Sequence, residues 1–415
     1  MAALASRDRR SPARRLMELR RLQAARFRAR LRRLVPCVVL GCVLAAPAWS
    51  LAGEPEKKLV YAAGSTVKVC QLTGDTDRQT GTPTLSRTEQ RAGVAATDLG
   101  SSFEHRGRLF FLFGDTWRHI DGRDAHVARD ALAWTDSRDP AAIELSFLCG
   151  EGGRWLPLEV PGITLGPFEV PVNGVSIDGK MFVLFATGFR PPLSFGRSVL
   201  AVSEDDGKTF RQVYRLSDDK FRVTALWKDD AWLYVFGAGK YRQSSVCLAR
   251  VETARVRERS AIRYFSGADE KGKPRWSAEE RDAAFLFRHD VVGEHSVAHC
   301  PTVGRYVMLY NSSAPRGIVM RSASRPWGPW SDAEIVFDPW KDKGYGRFMH
   351  RVNLLGGKDD GLADPGRALQ PGGEYGPYIM ARYTTGDANG CRIFYTMSTW
   401  NPYQVVVMRT DLKLE

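Results

Sequence analysis

A chain of 415 residues with 43% hydrophobic and 11% aromatic content is long enough to bury one large all-β domain or two smaller ones. Its net charge of +13 is concentrated at one end. Residues 1–33 hold twelve arginines against Asp8 and Glu18, a surplus of ten that leaves about three positive charges for all that follows, so a nucleic-acid-binding surface is not expected.

That basic start runs into the apolar stretch Leu34-Val35-Pro36-Cys37-Val38-Val39-Leu40-Gly41-Cys42-Val43-Leu44-Ala45-Ala46, followed by Pro47 and small residues ending at Ala48 or Ala52. A basic region, a short apolar run and small-residue sites read as a secretory signal. The run is too short and too interrupted for a membrane span. An uncleaved N-terminal anchor and lipid attachment at Cys42 stay open, as does a start at Met17. Residues 1–52 are thus expected to be a signal peptide or anchor and 53–415 the folded domain, exported to the periplasm, the medium or the cell envelope. Any membrane contact would be through that anchor or lipid alone.

Past residue 60, Gly, aromatic and β-branched residues abound and helical periodicity is nearly absent, an all-β pattern. A strand, a tight turn and a very apolar second strand recur around Arg106-Gly107, Asp178-Gly179, Asp229-Asp230, Val303-Gly304 and Asp387-Ala388-Asn389-Gly390. The second strands are Leu109 to Phe113, Met181 to Phe185, Trp232 to Phe236, Tyr306 to Tyr310 and Arg392 to Tyr395. Five such units predict a five-bladed β-propeller, whose strands are buried on both faces. Ser203-Glu204-Asp205-Asp206-Gly207-Lys208-Thr209-Phe210 matches the Asp-box turn of sialidase-like propellers, a structural feature, and Arg325-Pro326-Trp327-Gly328-Pro329-Trp330-Ser331 reads as a comparable turn. Cys70, Cys149, Cys247, Cys300 and Cys391 are widely spaced, with no Cys-x-x-Cys pair and no His at zinc spacing. They allow one or two disulfides in an oxidising compartment and no metal site.

The first hairpin, Thr97-Asp98-Leu99-Gly100 through Phe113-Gly114-Asp115-Thr116-Trp117, holds the candidate chemistry. With its turn centred on Arg106-Gly107, unbroken pairing sets Asp98 opposite Asp115, with Cβ atoms about 5 Å apart. Like charges so placed destabilise a sheet, which argues for use: one carboxyl as proton donor, the other as nucleophile, base or charge stabiliser. The structural alternative gives both aspartates to turn backbone. Trp117 and His119 follow, an aromatic that suits a sugar face. Glu169 and Glu294 sit at comparable places in other blades, where either could add a third acid. His299 and His350 are candidate hydrogen-bonding residues, and Trp400-Asn401-Pro402-Tyr403 aims an aromatic toward a blade end. No Ser-His-Asp order, phosphate loop or dinucleotide fingerprint appears, so no cofactor and no metal are expected.

With these residues in hand, the chain resembles the bacterial family of domain of unknown function 4185. The resemblance is carried by Thr97-Asp98-Leu99-Gly100, Phe113-Gly114-Asp115-Thr116-Trp117, Tyr264-Phe265-Ser266-Gly267 with Trp276-Ser277, Ser296-Val297, Tyr375-Gly376-Pro377-Tyr378 and Ser398-Thr399-Trp400-Asn401-Pro402-Tyr403, over roughly residues 90 to 412. It implies a five-bladed propeller and, for some members, endo-D-arabinanase activity on furanoside polymers, with two first-blade aspartates that fall on Asp98 and Asp115. The resulting expectation is an exported glycoside hydrolase, endo-acting on a furanose polysaccharide such as D-arabinan and working as a monomer. Asp98 and Asp115 are its catalytic pair, and Trp117, Glu169, Glu294, Tyr378, Trp400 and Asn401 contact substrate. The alternative is a non-catalytic carbohydrate-binding or surface-interaction propeller.

Overall fold

The computed structural model describes residues 57–118, 129–190, 195–353 and 359–415. The basic leader and His119 lie outside the described residues. Two short strands, β1 (Leu59–Tyr61) and β2 (Val67–Gln71), precede five antiparallel sheets. Blade one is β3 (Ala96–His105), β4 (Arg108–Trp117), β5 (Arg129–Thr135) and β6 (Ser146–Phe147). Blade two is β7 (Val170–Ile177), β8 (Lys180–Thr187), β9 (Arg197–Ser203) and β10 (Arg211–Ser217). Blade three has five strands, β11 (Val223–Lys228), β12 (Trp232–Ala238), β13 (Val246–Glu252), β14 (Arg263–Ala268) and β15 (Pro274–Ser277). Blade four is β16 (Val292–Cys300), β17 (Arg305–Ser313), β18 (Arg316–Ala323) and β19 (Glu334–Phe337). Blade five joins β20 (Glu374–Ile379), the stub β21 (Thr385–Asp387), β22 (Gly390–Trp400) and β23 (Tyr403–Leu414) to β1 and β2, which both pair with β23.

The first strands of the five blades, β3, β7, β11, β16 and β20, pack against one another in that order and β20 returns to β3, so the ring closes as a five-bladed propeller. The five apolar second strands lie where the sequence places them. They supply Phe111, Phe113, Phe182, Phe185, Phe236, Tyr310 and Tyr395, all among the largest fully buried side chains. Neighbouring blades cover both faces of these strands, which is why their sequences are apolar without alternation. Truncating one, as in Phe111→Ala, is expected to cost about 3–5 kcal/mol. The fifth unit is more elaborate than the repeat predicts: the strand before its turn is the exposed stub β21, and the inner strand β20 lies further back in the chain.

The Asp-box folds as a turn. Asp205 accepts the Thr209 N–H at 2.9 Å and the Ser203 hydroxyl at 2.7 Å on Oδ1, and the Thr209 hydroxyl at 2.6 Å on Oδ2. Phe210 is buried edge-on to Phe185. Asp206, next in the chain, accepts from His105 and Arg106 and ties blade two to blade one.

Candidate active site

The expected pairing in the first hairpin holds only part of the way. From His105↔Arg108 to Ser101↔Leu112 the partners follow the predicted register; a bulge at Gly100 then makes Leu99 pair with Phe113 and Asp98 with Gly114. Asp98 is therefore not directly opposite Asp115. Its carboxylate stands over Gly114, where an added Cβ would come within 2.9 Å of Asp98 Oδ1, so only glycine fits. A second bulge, between β4 and β5, leaves Gly114 and Asp115 facing the single residue Asp130. Asp115 takes a φ of 23° there, a left-handed backbone that an ordinary strand residue avoids. On its other side β4 shifts again against β3, so that Asp115 and Thr116 face Thr97 alone, and these irregularities gather three aspartates at one rim, 6%, 8% and 1% exposed for Asp98, Asp115 and Asp130.

Burial raises all three carboxyls, but the neighbours differ. Asp98 Oδ2 accepts the Tyr375 hydroxyl at 2.9 Å and the Tyr403 hydroxyl at 2.6 Å, while its Oδ1 has no partner among the described residues. Burial pushes Asp98 up to about 6; the charge of Glu294 adds to the rise, and the two tyrosine hydroxyls and the Arg242 charge hold it back. Asp115 accepts one backbone bond, from Phe168 N–H at 2.9 Å. Burial, then repulsion from Asp98, pushes it up to about 8. Asp130 is raised well above the carboxylate range by burial and by Asp115, Asp98 and Glu169 in turn, and its Oδ2 has no partner among the described residues. Tyr375 and Tyr403 are themselves raised by burial and the Asp98 charge, so they remain donors.

The acids of the other blades are engaged. Glu169 accepts Gly188 N–H at 2.6 Å, Phe189 N–H at 2.9 Å, the Thr164 hydroxyl at 3.0 Å and Gly166 N–H at 3.0 Å, which makes it the organiser of the blade-two loops. Glu294 receives Arg242 on both oxygens, at 2.9 and 3.2 Å, and the Tyr241 hydroxyl at 2.6 Å. Burial would raise it, yet Arg242 holds it below its ordinary value. Glu374, at the start of β20, is paired with Arg316 through both oxygens at 3.2 Å.

Aromatic rings flank the aspartates on two sides. Trp117 lies 5.8 Å from Tyr403, and Tyr403 lies 5.7 Å from Trp400, which is 41% exposed and covered in part by Arg367. On the other side Phe168 stacks on Phe189 at 5.0 Å, and the row continues through Phe195 to Tyr241, the partner of Glu294. Asn401 does not face this space: its amide receives Asp364 N–H and donates to the carbonyls of Arg367 and Gln370, clamping that loop. Tyr378 is fully buried, its hydroxyl without a partner among the described residues. His299 packs on Tyr306 and Trp227, and His350 bonds Asp360 and the Ala368 carbonyl. With Asp359, Asp360 and His350 form the one metal-spaced cluster among the described residues, but both ring nitrogens of His350 are already engaged.

Trp117 and Trp400 thus meet near Asp98 through Tyr403, whereas Glu169, Glu294 and Asn401 are held by protein groups. Sequence reading passed over Asp130, Phe168, Arg242 and the hydroxyl of Tyr375. Asp130 left a signal, a carboxylate immediately before the apolar run Ala131-Leu132-Ala133 at the start of a strand; Phe168 and Arg242 are loop residues that leave none.

The closed ring and its rim of buried aspartates define a five-bladed β-propeller. The chain belongs to the family described as Domain of unknown function (DUF4185), whose model matches residues 84–409. It is 28% identical over 301 residues to Notoamide biosynthesis cluster protein J of Aspergillus sp. (strain MF297-2), covering 63% of this chain and 76% of that protein. Among solved structures it is similar to a presumed hydrolase from Bacteroides ovatus ATCC 8483, with TM-score 0.51 and 14% identity over 78% of this chain and 87% of that one. It is also similar to the exo-beta-1,3-galactanase of Phanerochaete chrysosporium, with TM-score 0.48 and 9% identity, covering 84% of this chain and 64% of that one. The likeness to the Bacteroides ovatus structure is one of fold.

Proposed function

We propose that this protein is a glycoside hydrolase with Asp115 as general acid and Asp98 as its ionised partner. The observation that carries the reading is the unequal support of two buried carboxyls at one rim: two tyrosine hydroxyls serve Asp98 and one backbone N–H serves Asp115. At neutral pH the first is held ionised and the second protonated, the split that glycosidic cleavage requires. Asp115 then delivers its proton to the leaving glycosidic oxygen as positive charge develops at the anomeric carbon. The Asp98 carboxylate stabilises that charge, either by bonding to the carbon or by taking a proton from the attacking water. Trp117 and Trp400 offer the flat apolar faces that sugar rings stack on.

Endo-action on a furanose polymer, with D-arabinan first, is the substrate class the family resemblance implies, and the basic leader makes export part of the same proposal. The test is release of reducing ends from arabinans, other furanosides and pyranosides by wild type, Asp98→Asn and Asp115→Asn. Cleavage of a furanoside that both variants lose is the expected result. Binding of a glycan with no cleavage anywhere in the panel would replace the hydrolase with a glycan-binding propeller.

A further inference from the structure

Cys300 ends β16 in blade four, and Cys391 is the second residue of β22 in blade five. Their sulfurs lie 3.1 Å apart although the residues are 91 positions apart in the chain. Both are buried in one apolar cluster with Ile393 and Val303, and both are free thiols. The junction is tight: a Cβ on Gly386 would meet the Cys391 Cβ at 2.9 Å and the Thr302 hydroxyl at 2.7 Å. The remaining cysteines of the described domain are elsewhere, Cys70 in β2, Cys149 exposed after β6 and Cys247 inside β13. β16 begins at the acidic rim and ends at Cys300, so the pair sits at the opposite rim from Asp98.

We propose that Cys300 and Cys391 are a covalent cross-link site that staples blade five to blade four. The oxidant is a disulfide, either glutathione disulfide or the active-site disulfide of a thiol oxidoreductase. One cysteine thiolate attacks it, forming a mixed disulfide and releasing one thiol. The second thiolate then attacks the protein sulfur of that mixed disulfide and releases the other thiol. The two cysteines lose two protons and two electrons, and the oxidant's disulfide gains them. Because both sulfurs are buried in the closed ring, exchange takes place while blade five docks, after blade four has formed. A bridge closing so long a loop restrains the unfolded chain more than the folded one.

The test is to refold the full chain from denaturant in a glutathione redox buffer, alkylate it in denaturant, and map disulfide-linked peptides. A parallel sample produced in an oxidising compartment is mapped in the same way. The expected map has one linked pair, Cys300 with Cys391, and alkylated Cys70, Cys149 and Cys247. Reduction is expected to lower Tm by about 5 °C. The Cys300→Ala/Cys391→Ala protein loses that response to reductant. Alkylated Cys300 and Cys391 in natively folded, oxidant-treated protein would overturn the proposal, as would either cysteine bonded to glutathione or to a different cysteine.

Discussion

Carboxylates occupy the same rim of blade one and of blades four and five, and the molecule treats them in opposite ways. In blades four and five each inner-strand glutamate meets an arginine from the preceding blade: Arg242 for Glu294, Arg316 for Glu374. In blade one the place of that arginine is taken by two tyrosine hydroxyls, and Asp98, Asp115 and Asp130 are crowded together by bulges on both sides of β4. A neutralised buried carboxylate holds structure together; one left raised and unpaired is destabilising, and such groups concentrate where proton transfer is needed.

The largest expected effect is on turnover. Asp98→Asn and Asp115→Asn are each expected to lower kcat by about 10³-fold or more, with Tm unchanged or raised. Glu374→Gln should leave kcat within about threefold and lower Tm by a few degrees, since it strips half-exposed Arg316 of its partner. Equal loss of turnover in all three, measured by reducing-end release, would erase the distinction between the rims.

Next in size is Tyr403→Phe, which removes the 2.6 Å bond to Asp98. A hydroxyl donated to the charged form holds a carboxyl down, so the acidic limb of the rate profile should move to higher pH, with kcat about tenfold lower. An unmoved limb would separate that limb from Asp98.

Stability should follow pH with a definite sign. A carboxyl raised in the folded state gives stability that is full below its unfolded value near 3.9 and is lost as pH rises through its folded value. For Asp98 that loss runs through about 6, and for Asp115 through about 8. The difference in Tm between Asp115→Asn and wild type should therefore grow in the variant's favour from about pH 5 to about pH 8.5. A constant difference would mean that Asp115 titrates as an ordinary surface acid. Smallest of all, Arg242→Met leaves Glu294 uncompensated beside Asp98 and should move the acidic limb up by about half a pH unit.

The propeller was legible because its second strands are apolar without interruption, which requires burial on both faces, and because turn residues recur between them. That Asp98 and Asp115 lie at one rim was legible, but their expected direct pairing was wrong as a register. The glycine that permits a bulge, Gly100, reads in sequence like any other strand glycine, and no local pattern reveals that Asp98 slides to Gly114. Partners from distant chain segments were equally hidden: Tyr403 reaches Asp98 across 305 positions and Tyr375 across 277. Asn401 lies in a motif that reads as an exposed turn, yet its amide is consumed by the 364–370 loop, a contact no spacing encodes.

The most direct test of the blade-one rim is the pH dependence of kcat/KM on the polymer that is cleaved, from about pH 4 to about pH 10, for wild type and for the residual activity of each aspartate variant. The profile expected is a bell with limbs near 6 and 8, apparent values of the coupled pair, whose acidic limb disappears in Asp98→Asn and whose alkaline limb disappears in Asp115→Asn. A bell that both variants retain would contradict the assignment of acid and partner to these two residues.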